Sequence, residues 1–360
     1  MFMIKLLHSA DWHLDAPLRQ FSPEQRKVLR EKQLVLPGMI GDIALREGCD
    51  LALLSGDLFD SHAYTPESYR AVYRALERMG IPVFIAPGNH DYYGEKSPWF
   101  RENWPGNVHI FKKQEISSVP LPELGCRVYG AAFTSMDCPG LLDGFRAECP
   151  ERYAVMTLHG DPGTAGSPYN PVSTAQVRDS GLDSLALGHI HAPGRFGAGA
   201  GACAWPGCPM GRGYDETGLK GVLVAELDQE TVIRFLPLDV PRFYDITLDS
   251  VQNPEESLGA VLPGNGTEDF IRVRFTGEGA RISGDDLCRK YARWKNLQIL
   301  DETVSGEDLW EKQGQDSLEG VYFQILRNRM LACGKADREI LELTAKLSRR
   351  ILRGGEVELP

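Results

Sequence analysis

Short clusters of aspartate, asparagine and histidine recur in the first part of this 360-residue chain, each at the end of an apolar run. The clusters read Asp11-Trp12-His13, Ser55-Gly56-Asp57, Gly88-Asn89-His90-Asp91, Leu158-His159-Gly160 and Gly188-His189-Ile190-His191. Their side chains are oxygen and nitrogen donors, and no cysteine takes part, a set that suits Mn²⁺, Fe or Zn²⁺. One ion cannot use so many donors, whereas two ions that share a carboxylate can clamp the attacking and leaving oxygens of a displacement at phosphorus. The clusters therefore predict a two-ion site for phosphoryl chemistry.

The apolar runs before these clusters predict the elements that must position them. Each run is short and ends at Gly, Asp or His, which is typical of a buried strand. The runs span residues 4–10, 50–56, 81–88, 153–160 and 184–190. Between them, residues 23–47 and 66–79 predict helices, and strand–helix alternation predicts an α/β fold. In such folds ligands bind at the carboxyl edge of the strands, so the clusters are expected to converge on one spot.

The rest of the chain predicts further domains. A first domain is expected over 1–240, and a smaller strand–helix pattern predicts a second one over 241–302. An acidic, exposed linker at 303–316 then leads to a C-terminal segment, 317–360, with two helical patterns. Residues 323–354 hold eight Lys and Arg against three Asp and Glu, a local basic stretch.

Composition limits the function classes. The formal net charge is −11, so any affinity for nucleic acid must come from local patches, metal ions or a partner. No stretch approaches about 18 uninterrupted apolar residues, which predicts that the chain does not enter a membrane. The eight cysteines form no CxxC pair, and the N-terminus reaches Asp11 too soon for a signal peptide. We therefore expect a cytoplasmic protein with reduced thiols.

The clusters resemble the motif pattern of calcineurin-like metallophosphoesterases, which is DxH, GDxxD, GNH(D/E), a later H and GHxH. The phrases GDLFDS, IPVFIAPGNHD and LGHIHAP, with the segment WPGCPMGRGYDETGLKGVLVAEL, are similar to bacterial DNA repair exonucleases of the SbcCD D-subunit or YhaO-like type. The resemblance is strongest over 1–240. It implies an α/β metallophosphoesterase core of two packed mixed β-sheets flanked by helices, with a small α+β capping domain and a C-terminal helical tail.

The resemblance also implies roles for individual residues. One ion would be held by Asp11, His13, Asp57 and His191, and the second by Asp57, Asn89, His159 and His189, with Asp57 bridging. His90 matches the family's histidine that contacts the scissile phosphate and helps the leaving oxygen depart, and Asp91 is expected to orient or polarise His90. The implied cofactors are two divalent ions, with Mn²⁺ favoured over Fe or Zn.

The resemblance implies that the protein is a manganese-dependent DNA nuclease that works in DNA repair. It would act as an exonuclease, and an additional endonuclease activity is left open. Two alternatives remain: a small-molecule phosphodiesterase or phosphatase on the same core, and a non-catalytic scaffold. Protein phosphatases of this superfamily carry GDxxDRG, whereas Asp60 is here followed by Ser61-His62. All expected metal ligands are present, which argues against a decayed scaffold.

The implied partners are DNA and an SMC-like ATPase, whose coiled coil the family's C-terminal helices grip; a homodimer is left open. Groove binding predicts apolar anchors at Val321, Ile325, Leu343 and Leu347. It also predicts that three arginines, Arg349, Arg350 and Arg353, are free to meet acids or phosphates. The alternative is that the two apolar stripes close on each other and belong to the protein's own core.

Overall fold

Strands alternate with helices through the first of the two units into which the chain divides, Met1–Phe243. The computed structural model describes residues 3–196, 202–250, 252–264, 268–277, 282–304 and 308–352. In chain order the elements of the first unit are β1 (Ile4–Ser9), α1 (Pro23–Glu47), β2 (Leu51–Leu54), α2 (Pro66–Met79), β3 (Val83–Ile85), α3 (Pro98–Arg101), β4 (Val108–Ile110), β5 (Ser117–Leu121), β6 (Cys126–Gly130), β7 (Tyr153–His159), α4 (Thr174–Asp179), β8 (Ser184–Gly188), β9 (Gly194–Phe196), β10 (Ala202–Trp205), β11 (Gly221–Leu227) and β12 (Thr231–Pro237).

Local capping signals set the bounds of the two long helices, which agree with the predicted ranges. At the start of α1, the Ser22 side chain accepts a hydrogen bond from the Gln25 N–H, and the Gln25 side chain accepts one from the Ser22 N–H. This capping box satisfies backbone donors that the helix leaves unpaired. The helix ends at Gly48, which adopts a left-handed conformation with φ 66°. Thr65 and Gly80 cap α2 in the same way.

Among the described residues, two six-stranded sheets form the first unit. The strand order of the first sheet is β12-β11-β1-β2-β3-β4. Strands β1 to β4 pair in parallel, whereas β11 pairs antiparallel with β1 and β12 pairs antiparallel with β11. The second sheet has the order β5-β6-β7-β8-β10-β9, with parallel pairing from β6 to β10 and antiparallel strands at both edges. Both sheets are therefore mixed.

The two sheets pack face to face around one hydrophobic core. Leu6, Leu53 and Phe84 of the first sheet share this core with Val128 and Val155 of the second, and all are nearly inaccessible to water. Because side chains alternate across a strand, the neighbouring residues of the second sheet face the other way, and α4 packs there. Helix α1 packs against β1 and α2. The predicted fold, two packed mixed sheets flanked by helices, is confirmed.

The second unit, Tyr244–Pro360, has a smaller sheet and two C-terminal helices. Its elements are β13 (Phe243–Asp249), α5 (Pro254–Val261), β14 (Phe270–Thr276), α6 (Gly284–Lys290), β15 (Asn296–Asp301), α7 (Leu318–Ala332) and α8 (Lys335–Leu352). The sheet order is β13-β14-β15, and Leu258 of α5 and Leu287 of α6 belong to its apolar core. The predicted capping role of this part stays a prediction. No helix of the described segments is both long and apolar enough to cross a bilayer.

The C-terminal helices differ from two sequence predictions. The connector at 303–316 is not uniformly exposed where it is described: Leu309 is 3% exposed and packs with Phe323 and Leu326 of α7 and Ala345 of α8. The connector was predicted to be exposed because it is acidic, and this composition did not indicate that Leu309 is buried. Leu309 lies in a short 3₁₀ helix, Asp308–Trp310. The two helices therefore do close on each other along one stripe.

The prediction that Arg349 is free is wrong, because this residue is buried. Its side chain is 1% exposed and forms ion pairs with Glu311 (3.0 Å) and Glu319 (3.3 Å). Burial of a guanidinium is tolerable only when carboxylates neutralise it, and here the predicted acidic linker supplies one of them. Arg350 is half-exposed but is not free either, since its Nη2 lies 4.0 Å from Glu302 Oε2. Arg353 lies outside the described residues.

Candidate metal centre

The strand-end clusters of both sheets meet at one edge of the first unit. Asp11, Asp57 and Asn89 follow three neighbouring parallel strands of the first sheet, β1, β2 and β3. His159 ends β7 and His189 follows β8 in the second sheet. A carboxylate joins the two edges, since Asp11 accepts hydrogen bonds from the backbone N–H of His189 at 2.9 and 3.1 Å. Within each sheet the parallel-strand argument predicts this convergence, and packing of the two sheets brings together clusters that are up to about 180 residues apart in sequence.

One group of donors consists of Asp11, His13 and His191. One ligand atom of each lies within 4.8 Å of the others. The two imidazoles approach through their Nε2 atoms, which are 3.1 Å apart. Their rings are nearly perpendicular, with centroids 4.9 Å apart.

The other group forms around His159. Its Nε2 lies 2.9 Å from Asn89 Oδ1 and 3.3 Å from Asp57 Oδ2, and its ring centroid is 5.2 Å from that of His189. Asp57 Oδ2 is also 3.8 Å from Nε2 of His13, which belongs to the first group. Asp57 therefore stands between the two groups, where a bridging carboxylate is required.

The backbone is strained where these side chains are presented. Asp11, His13, Asp57 and His189 have φ values of 56°, 44°, 54° and 100°, in the region that favours glycine. Each such residue costs on the order of 1–3 kcal/mol, which persists where the surrounding structure imposes it and is typical of functional sites. The turn that presents Asn89 also leaves no room for a side chain, since a Cβ on Gly88 would clash with Asp57 Oδ1. Only glycine fits beside the central carboxylate.

Burial and charge prepare the donors for cations. Burial raises the pKa of Asp11 to about 7 and lowers the pKa of His13 to about 4, the latter keeping that imidazole neutral, as a ligand must be. Burial also opposes ionisation of Asp57, but the adjacent His159 and His13 hold its pKa below the usual range. The same carboxylate raises the pKa of His159 to about 9 despite burial. Asp11 and His159 thus favour their protonated forms in the absence of a cation, and a bound metal ion would displace those protons.

The residues present fit divalent ions by their donor chemistry. Buried carboxylates at close range and two Nε2 atoms facing each other are unfavourable unless a cation neutralises them. The residues that would hold two ions are Asp11, His13 and His191 on one side and Asn89, His159 and His189 on the other, with Asp57 between. When bound, such ions supply a water activated for attack and neutralise charge that develops on a phosphoryl group.

His90 lies beside the central carboxylate on the more open side of the site. Its backbone N–H donates to Asp57 Oδ1 (2.9 Å), and its ring centroid is 4.8 Å from that of His13. Its Nδ1 lies 3.0 Å from the backbone carbonyl oxygen of Asp60. Because a carbonyl can only accept, this contact places the proton on Nδ1 and leaves Nε2 as the free end of the ring. A ring held in this way can exchange a proton with a substrate oxygen.

The Asp91 carboxylate hydrogen-bonds to backbone N–H groups and not to the ring of His90, which it was predicted to orient or polarise. This carboxylate is fully buried and accepts hydrogen bonds from four backbone N–H groups, those of Leu58 (2.8 Å), Gly88 (2.9 Å), Asp57 (3.2 Å) and Phe59 (3.3 Å). The turn after β3 directs this side chain toward the neighbouring turn, so the carbonyl of Asp60 holds His90 instead. Asp91 ties together the two turns that present Asp57 and Asn89.

Replacing Asp91 by alanine is expected to lower the free energy of unfolding by roughly 2–4 kcal/mol, because buried N–H donors lose a charged acceptor. The Asp57 turn should also shift, so that metal binding weakens. Thermal denaturation of the metal-free protein and calorimetric titration with Mn²⁺ measure the two effects. Asp183→Ala is the matched control: Asp183 accepts from the Ala154 N–H at the opposite end of the strands and should affect stability alone. A stable Asp91→Ala variant that binds metal normally but turns over slowly would restore the original prediction.

Sequence reasoning missed three residues that contact the predicted ligands. Asp60 Oδ1 lies 3.2 Å from His13 Nδ1, and Glu216 Oε1 lies 2.7 Å from His191 Nδ1. Arg212 contacts both carboxylates. A signal was present, since Asp60 is the last residue of the GDxxD motif and Glu216 lies in the segment WPGCPMGRGYDETGLKG. Spacing alone did not connect that segment with the histidines.

Comparisons with known proteins place the first unit of this chain in a family. Residues 4–193 match the family model of calcineurin-like phosphoesterases. The uncharacterized metallophosphoesterase YhaO of Bacillus subtilis (strain 168) is 31% identical to this chain over 230 residues. That alignment covers 61% of this chain and 56% of YhaO, little more than half of the relative's length. The crystal structure of TT1561 of Thermus thermophilus is 14% identical with a TM-score of 0.39, covering 65% of this chain and 99% of that one.

Proposed function

Because the chain belongs to the calcineurin-like phosphoesterase family, we propose that it is a two-metal phosphodiesterase that acts on DNA. Membership makes it a metal-dependent phosphoesterase hydrolase. The finer proposal is a nuclease of the SbcCD D-subunit type, most active with Mn²⁺, that hydrolyses phosphodiester bonds from the ends of DNA. It would serve DNA repair in the cytoplasm.

The observation that carries the phosphodiesterase proposal is the position of Asp57 between two groups of donors, with His90 beside it. Asp57 Oδ2 lies 3.3 Å from the His159 Nε2 and 3.8 Å from the His13 Nε2, as a shared ligand requires. His90 is adjacent, with Nδ1 held by a backbone carbonyl oxygen and Nε2 free. A phosphodiester needs both parts: charge neutralisation at the phosphoryl oxygens and a proton for the departing alkoxide, which is a poor leaving group.

Two features favour DNA over the alternative substrates. The first is the set of phrases shared with DNA repair exonucleases, which extends beyond the ligand motifs. The second is the position after GDxxD, where protein phosphatases carry an arginine that holds the phosphate. Here Ser61 stands at the position of that arginine. The next residue, His62, has its Nε2 3.0 Å from the backbone carbonyl oxygen of Tyr92. A phosphoprotein substrate would thus lack its usual cation at this point.

The test is hydrolysis by the metal-free protein after addition of Mn²⁺, with linear duplex DNA, a closed circular duplex and bis-p-nitrophenyl phosphate compared. We expect loss of the linear duplex from its ends, slower attack on the circle, and complete inhibition by EDTA. Hydrolysis of the small diester with no cleavage of either DNA would contradict the nuclease and favour the small-molecule phosphodiesterase. No hydrolysis of any of the three would favour the scaffold.

The C-terminal helices are proposed to dock a partner, an SMC-like ATPase. Their inner stripe is closed, but α7 keeps a second apolar stripe on its surface: Leu318, Val321 and Ile325 are 89%, 52% and 50% exposed. These positions follow i, i+3, i+7, the spacing by which one helix packs along another. Leu343 of α8 is 49% exposed, whereas Leu347, the fourth predicted anchor, is half-buried.

Replacing Ile325 by aspartate is expected to abolish co-purification with a co-expressed SMC-like ATPase from the same genome, because a charge would be desolvated in the apolar contact. The melting temperature should stay within about 2 °C, since the side chain is already half-exposed. Gln298→Glu, an exposed position on β15 of the same unit and outside the stripe, adds the same charge and should leave co-purification intact. Retained co-purification of the Ile325→Asp variant would contradict this docking surface.

A further inference from the structure

Both imidazoles of the first donor group are held from behind by carboxylates. His13 Nδ1 lies 3.2 Å from Asp60 Oδ1, and His191 Nδ1 lies 2.7 Å from Glu216 Oε1. Glu216 is only 7% exposed, and its buried carboxylate is paired with the guanidinium of Arg212 as well as hydrogen-bonded to His191. These contacts are on the far side of each ring from the Nε2 atoms that face each other at 3.1 Å.

The carboxylates decide which nitrogen of each ring carries the proton. An ionised carboxylate can only accept hydrogen bonds, so the Nδ1 atom that faces it must be the donor. In the neutral ring Nε2 then presents a lone pair, and this holds for His13 and His191 alike. Two lone pairs directed at one point repel each other unless a cation lies between them. A carboxylate behind a ligating histidine also raises the basicity of its metal-binding nitrogen.

One guanidinium connects the two carboxylates. Arg212 Nη1 lies 3.2 Å from Asp60 Oδ1, and its Nη2 lies 2.6 Å from Glu216 Oε1. Its Nε and its backbone N–H also contact Glu216, at 3.2 and 2.7 Å. Nη2 is 3.0 Å from His191 Nδ1 as well, but both groups are donors here and share the Glu216 oxygen instead. We call Asp60, Arg212 and Glu216 the Arg212 frame.

The second donor group is held differently. His159 Nδ1 lies 2.8 Å from the backbone carbonyl oxygen of Ser55, a neutral acceptor. The His189 ring packs against Tyr169, with centroids 4.9 Å apart. A neutral carbonyl fixes the tautomer of His159 but polarises the ring less than a carboxylate does. The two groups thus differ in the charge behind their histidines, although the histidine count is the same.

We propose that the Arg212 frame fixes the tautomers and ring positions of His13 and His191 and thereby makes the ion position of Asp11, His13, Asp57 and His191 the tighter of the two. Asp60, Arg212 and Glu216 are positioning residues, since they act through the histidines. The inference rests on the two-ion site of the proposed function but not on the identity of the substrate.

Calorimetric titration of the metal-free, full-length protein with Mn²⁺ tests this asymmetry. The wild type should show a tighter and a weaker class of site. Glu216→Ala should weaken the tighter class by about 10–100-fold, the usual effect of removing a partner behind a ligand, and leave the weaker class unchanged. Glu216→Gln should recover most of the affinity, because its amide oxygen can still accept from His191 Nδ1. Arg212→Ala, which keeps both carboxylates but disconnects them, should weaken the same class less.

Asp215→Asn is the matched control, because Asp215 is exposed, adjacent to Glu216 and part of the same cleft, so the charge change is equal. It should leave both classes unchanged. Equal weakening of both classes in Glu216→Ala and Arg212→Ala, or no weakening in either, would overturn the proposal. A drop of many degrees in the melting temperature of both metal-free variants would also overturn it, since the frame would then support folding. Wild-type asymmetry without any DNA cleavage would contradict the proposed substrate and leave the frame standing.

Discussion

Replacing Asp57 by asparagine is expected to remove both ions and to reduce phosphodiester hydrolysis by at least about 10³-fold, since metal ions supply several kcal/mol of transition-state stabilisation. Asp57 lies between the two donor groups, within 3.3 Å of the His159 Nε2 and 3.8 Å of the His13 Nε2. Asparagine keeps an oxygen that can accept from the His90 N–H, so the turn is preserved while the bridging charge is lost. Elemental analysis of the purified variant and its hydrolysis of bis-p-nitrophenyl phosphate measure the two effects.

The control for this variant is Asp50→Asn. Asp50 precedes the same strand at its opposite end, where it accepts from the Lys5 N–H, so the chemical change is identical but remote from the site. Its metal content and activity should match those of the wild type. Cleavage of DNA by Asp57→Asn at the wild-type rate would refute the assignment of the bridging ligand.

Replacing His90 by glutamine is expected to lower turnover by roughly 10²–10⁴-fold, the range for a positioned proton donor, with metal content near that of the wild type. The reason is the geometry: Nδ1 is held by the Asp60 carbonyl oxygen, and Asn89, the adjacent residue, already contacts His159 in the second donor group. Glutamine can still donate a hydrogen bond but cannot deliver a proton.

The alternative for His90 is metal binding, because one of its ring nitrogens lies within 4.8 Å of ligand atoms of His13 and Asp57. Loss of an ion in His90→Gln would establish that alternative. His109→Gln controls for the substitution itself: His109 lies on β4 of the same sheet and packs against Phe84 and Phe111, outside both donor groups. It should change neither metal content nor turnover.

The sequence by itself determined the fold class and indicated the residues of the candidate site. Helix α1 could be bounded because Ser22 and Gly48 cap it locally, and such signals need no tertiary information. The strands before Asp11, Asp57 and His159 could be recognised because each is a short apolar run with a polar residue at its end. Parallel strands place their carboxyl ends at one edge, so convergence of the donors within each sheet followed from the order of elements. That the edges of the two sheets meet depends on how the sheets pack.

Only the tertiary structure decided what lies behind the donors. Asp91 faces the backbone of a neighbouring turn rather than His90, because left-handed residues such as Asp57 set the turn geometry. Arg349 is buried although its neighbours in sequence predict a solvent-facing base. The Arg212 frame joins residues about 150 positions apart, and no sequence period links them. Side-chain direction at a turn and pairing across long loops depend on packing of the whole unit, so motifs indicate the candidate ligands while the fold selects the groups that hold them.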